Sequence, residues 1–99
     1  GGDDTAPAPY DLFLASLATC AGIYVLGFLN ARNLSTEGIE IRQHTDFDDT
    51  THLARKVTLD IELPETFPEK YRASVARVAE GCKVKKTIAG SLEFEVRIS

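Results

Sequence analysis

Apolar residues fall along this chain in three distinct rhythms. Between Leu12 and Leu29, the stretch "LFLASLATCAGIYVLGFL" runs for eighteen residues without a charge. Pro9 suits an early helical position, Asp11 places a negative charge in the first turn where the helix dipole favours it, and "NARN" supplies a polar stop. A helix over Pro9–Arg32 is therefore predicted, about 36 Å long at 1.5 Å per residue. The rhythm then changes to a period of two. In "EGIEIRQH", Ile39 and Ile41 face one way and Glu40 and Arg42 the other. In "RKVTLDIELP", Val57, Leu59, Ile61 and Leu63 oppose Lys56, Thr58, Asp60 and Glu62. With the turn-rich "DFDDTTH" between them, the two segments predict an antiparallel hairpin with one solvated face.

"TFPEKYRASVARVAEGC" follows a third rhythm, of three and four. Tyr71, Val75, Val78 and Cys82 form an apolar stripe, Thr66 and Glu69 match a capping box with Pro68 in the first turn, and Gly81 can stop the helix. The end, "SLEFEVRIS", returns to period two. Leu92, Phe94, Val96 and Ile98 alternate with Glu93, Glu95 and Arg97, which predicts a last strand. The expected order is helix, strand, strand, helix, strand, an α+β arrangement within one domain over residues 1–99, preceded by a flexible lead at residues 1–8.

The uncharged run is long enough to cross a membrane. Its flanks favour a protein core instead: acidic residues lie at the N-terminal end, Arg32 alone marks the other, and the chain has no tryptophan for an interfacial belt. Each downstream segment is apolar on one face and needs something to cover. A helix that is hydrophobic all round can lie at the centre of that core, buried on every side.

Composition is that of an ordinary globular chain, 43% hydrophobic and 26% charged. The net charge of -4 and the absence of a long basic run argue against nucleic-acid binding, since Glu80 interrupts the positives at Arg77, Lys83, Lys85 and Lys86. Two cysteines are too few for a secreted disulfide scaffold, and His44 and His52 lack metal-ligand spacing. No metal or other cofactor is expected. The acidic start "GGDDTAPAP" does not resemble a signal peptide, so a cytoplasmic setting is expected. Taken alone, Cys20 and Cys82 read first as small buried hydrophobes, the commoner state of a free cysteine, although Lys83 beside Cys82 would favour a thiolate there.

Two segments, "PYDLFLASLATCAGIYV" and "VAEGCKVKKTIAGSLEFEVRI", carry these cysteines in motifs that resemble the OsmC/Ohr family, the osmotically inducible and organic hydroperoxide resistance proteins. The resemblance runs from about Pro7 to Ile98 and includes the helix–strand–strand–helix–strand order. It implies an intertwined homodimer built on the long central helices, and a thiol peroxidase that reduces organic hydroperoxides and is recycled by a dithiol reductant. Carried over, Cys20 matches the peroxidatic position and Cys82 the resolving one, while Asp11 stands nearest to the family's glutamate at the helix start. Phe13, Leu17, Ile23 and Tyr24, one or two turns from Cys20, would wall an apolar substrate pocket. The family's thiolate-activating arginine belongs to strands upstream of the central helix, which are absent from this sequence. The competing expectation is a non-catalytic OsmC-like fold that binds an apolar ligand or a partner, with both cysteines structural.

Overall fold

The computed structural model describes residues 8–98, so most of the expected lead lies outside the described residues. Helix α1 spans Pro9–Ala31, and the unbroken apolar run explains its length. It stops where the sequence turns polar. Arg32 caps the last turn, Asn33 takes a left-handed conformation (φ 55°), and the Leu34 amide donates back to the Leu29 carbonyl at 2.9 Å.

Strands β1 (Glu40–Phe47) and β2 (Ala54–Glu62) form the expected antiparallel hairpin. Ile41 pairs with Ile61, Gln43 with Leu59 and Thr45 with Val57 on the inner face. Arg42, His44 and Asp46 pair with Asp60, Thr58 and Lys56 on the solvated face, where Arg42 also pairs with the Glu40 and Glu62 carboxylates. In the connecting turn the Asp48 carboxylate accepts from the Thr51 and Thr50 amides at 2.8 and 2.9 Å, which lowers its pKa from the ordinary value.

A single 3-10 turn over Glu69–Tyr71 leads into α2 (Arg72–Glu80), which ends at Gly81 as expected. The capping box does not form: neither the turn nor α2 has a side-chain cap, and Glu69 instead pairs with Arg72 Nε at 2.9 Å. Pro68 explains this, because it forces an extended residue at the entry and leaves only a tight turn before the helix proper.

The core lies between α1, α2 and the inner face of the hairpin. Ala21, Val25 and Leu29 of α1 meet Phe67, Val75 and Ala79, with Ile39, Ile41, Leu59 and Ile61 packed around them. Ala21 and Ala79, almost fully buried, let the two helices approach closely. Gln43 stitches the layers together, its Nε2 donating to the Leu14 carbonyl at 2.8 Å.

Two expectations need correction. Within the protomer α1 is not buried on every side. It buries one stripe, Leu14, Leu17, Ala21, Val25 and Leu29, and leaves Leu12, Ile23 and Leu26 exposed, because one hairpin and one short helix can cover only one face. The predicted last strand is also absent. The chain instead forms a third helix, α3 (Lys83–Ala89), and then runs from Gly90 to Ile98 without regular structure. A strand exists only through a partner for its backbone groups. Among the described residues this segment has none, and Phe94, Val96 and Ile98 are about nine-tenths exposed.

Candidate active site

Cys20 sits midway along α1, and Cys82 lies just past the end of α2. The packing of α2 and α3 on α1 brings these positions, far apart in sequence, near enough for the Cys82 thiol to act on the Cys20 thiol. Both thiols are free; Cys20 is half-buried and Cys82 is 1% exposed.

The local chain path around Cys82 makes the site. Its backbone is extended, and its sulfur accepts from the Lys85 amide at 3.4 Å, so Cys82 is the N-terminal cap of α3. The spacing from cap to third helical residue is the one a serine or threonine cap uses. With α3 so anchored, the amides of Val84 and Lys83 lie near the Cys20 sulfur. The Val84 N–H chiefly, then the Cys82 thiol and the Lys83 N–H, hold the Cys20 thiol below its ordinary range against the opposing effect of partial burial. The thiolate of Cys20 is therefore favoured chiefly by backbone donors.

The other expected site residues fall in three places. Leu17 is buried one turn before Cys20 and lines a groove of 460 Å³. That groove also meets Val57, Leu59, Ala79, Cys82 and Ile88, with Lys56, Lys85 and Glu80 among its lining. Phe13, Ile23 and Tyr24 lie outside it, on the exposed side of α1. Phe13 stacks on Tyr10 at 6.0 Å between ring centroids, and Tyr10 in turn meets Phe47 edge-on. Asp11 is exposed in the first turn. It lies nine positions before Cys20, which at about 100° per residue places the two on opposite sides of α1.

Sequence reasoning missed α3 and the Lys83 and Val84 amides. It also missed Tyr10, whose hydroxyl accepts from the Ala54 amide at 2.7 Å and ties the start of α1 to β2. The available signal was Cys82 three residues before Lys85, a capping spacing with an uncommon capping residue.

The profile of the family described as OsmC-like protein matches residues 1–97. The chain belongs to the OsmC-like family. A crystal structure from Psychrobacter arcticus, named for a proposed role as an osmotic stress induced and detoxification response protein, superposes with a TM-score of 0.71 at 19% identity. The superposition covers 85% of this chain and 61% of that one, so this OsmC-like chain spans less than two thirds of that structure. At that identity the likeness establishes the fold. No curated protein matches the chain.

Proposed function

We propose that this OsmC-like protein is a cysteine-based peroxidase of the organic hydroperoxide resistance type, acting as a homodimer in the cytoplasm. The observation that carries the reading is the contact between Cys20 and Cys82 at the start of α3. A Cys20 thiolate, favoured by the Val84 and Lys83 amides, attacks the distal oxygen of the hydroperoxide. The O–O bond breaks, the alkoxide takes a proton to leave as an alcohol, and Cys20 becomes a sulfenic acid. The Cys82 thiol then attacks that sulfur, water leaves, and a Cys20–Cys82 disulfide closes until a dithiol reduces it. The exposed apolar side of α1, with Ile23 and Tyr24 one turn past Cys20, suits an organic peroxide better than hydrogen peroxide.

Single mutants test the division of roles. Cys20→Ser should abolish turnover of cumene hydroperoxide with dithiothreitol, since a serine hydroxyl is a far weaker nucleophile at neutral pH. Cys82→Ser should consume one equivalent and stop at a sulfenic acid that a dimedone probe labels on Cys20. Loss of that first equivalent in both mutants would contradict the assignment.

The apolar groove supports a second reading, a non-catalytic protein that binds an apolar ligand with both cysteines structural. Under it, excess organic hydroperoxide would leave both thiols titratable.

A further inference from the structure

The groove reaches Cys82, and Cys20 is not among its lining residues. Its walls are mostly apolar, formed by Leu17, Val57, Leu59, Ala79 and Ile88, and Lys56 and Lys85 are exposed at its edge. Glu80 is the one acidic lining residue. A molecule in this groove therefore meets one sulfur of the pair and a rim with two cations against one anion.

We infer that the reductant enters by this groove: an anionic thiol, steered by Lys56 and Lys85, attacks the Cys82 sulfur of the Cys20–Cys82 disulfide and expels Cys20. The inference rests on the peroxidase reading and specifies the half of the cycle which that reading leaves open. Thiol–disulfide exchange favours the better leaving thiolate. The Val84 and Lys83 amides near its sulfur favour Cys20 as that group. Attack in the opposite sense would expel Cys82 into a site where it has one amide donor, Lys85, at 3.4 Å. The electron balance is simple. The first thiolate forms a mixed disulfide with Cys82 and frees Cys20; the reductant's second thiol then attacks its own sulfur in that bond and frees Cys82. The reductant leaves as a cyclic disulfide, having lost two electrons, and its two thiol protons end on Cys20 and Cys82.

The test uses the full chain with its disulfide formed by diamide, so it does not depend on peroxide turnover. The oxidised protein is treated briefly with 2-mercaptoethanesulfonate, which is anionic, or 2-mercaptoethanol, which is neutral. Excess N-ethylmaleimide stops the reaction and peptide mapping locates the adducts. The expected result is the maleimide on Cys20 and the mixed disulfide on Cys82. Each rate is divided by its rate on the same disulfide in the urea-unfolded chain. By that measure the anionic thiol should be favoured several-fold, and the preference should shrink toward one in the Lys56→Gln/Lys85→Gln variant and in high salt, which screens exposed charges. Maleimide on Cys82, or a preference unchanged by the double substitution and by salt, would overturn the inference. If diamide closes the disulfide but an organic hydroperoxide does not, the peroxidase reading fails and the entry route is still decided by the map. If neither closes it, both fail.

Discussion

At the scale of single residues, the account depends on how one sulfur is solvated. The Cys20 thiol is held down chiefly by the Val84 amide, with the Cys82 thiol and the Lys83 amide adding to it. Alkylation of Cys20 by iodoacetamide should thus follow a pH midpoint below that of an unfolded cysteine, measured in the Cys82→Ser background so that one thiol reports. The linked stability has a definite sign. A group whose pKa is lower folded than unfolded stabilises the fold fully above the unfolded value, and that contribution is lost as pH falls through the folded one. Unfolding measured across the neutral to mildly alkaline range should show this rise in the parent chain and lack it in Cys20→Ser; equal curves would contradict the amide cradle. Leu17, buried beside Cys20, tests packing rather than charge. Leu17→Ala should cost about 2–5 kcal/mol in denaturant unfolding, because truncation removes buried contacts and leaves a cavity beside the groove. A loss below about 0.5 kcal/mol would place that face in solvent.

Among the elements, α3 is the one that makes the site, and it is the one whose local pattern is weakest. Its seven residues carry no buried side chain. Lys83 and Lys85 set positive charge at the N-terminal end, which the helix dipole disfavours, while Lys86 lies in the last turn. What fixes it is the Cys82 cap. Cys82→Ser should keep α3, since a serine oxygen can accept from the Lys85 amide. Cys82→Ala should lose about 0.5–2 kcal/mol with the cap, plus the burial that sulfur supplied. Hydrogen exchange at Lys85 and Lys86 reads the difference, and equal protection in the two variants would show that the cap is not what holds α3. The same contrast explains what was legible in the sequence. α1, the hairpin and α2 were readable because their signals are local, an uncharged run over Leu12–Leu29 and a period of two over Val57–Leu63. Which face of α1 is buried was not readable, nor that Cys82 caps α3 rather than ending the stripe of α2. The fate of Leu92–Ile98 was not, since a strand needs a distant partner that alternation alone cannot supply. Nor could spacing alone place Cys20 against Cys82; that pairing came from a family resemblance. The same resemblance pointed to Asp11, which helical geometry puts on the far side of α1 from Cys20.

The whole molecule is more extended than its length requires. Its radius of gyration is 16.6 Å, against about 13 Å for a compact chain of roughly 100 residues. The excess goes with two uncovered apolar surfaces, the outer side of α1 at Leu12, Ile23 and Leu26 and the segment from Leu92 to Ile98. The proposed homodimer would cover α1, in an interface burying well above ~1,000 Å². Light scattering at micromolar concentration should give a dimer for the parent chain and a monomer for Ile23→Asp/Leu26→Asp; a monomeric parent would remove the dimer from the proposal. The central claim, that this fold joins its two cysteines for peroxide reduction, has a more direct test. The unmodified chain is exposed to an excess of cumene hydroperoxide, its remaining thiols are blocked, and it is digested without reductant. The account predicts one cross-linked peptide pair containing Cys20 and Cys82 of the same chain. Both cysteines recovered as blocked free thiols would contradict it.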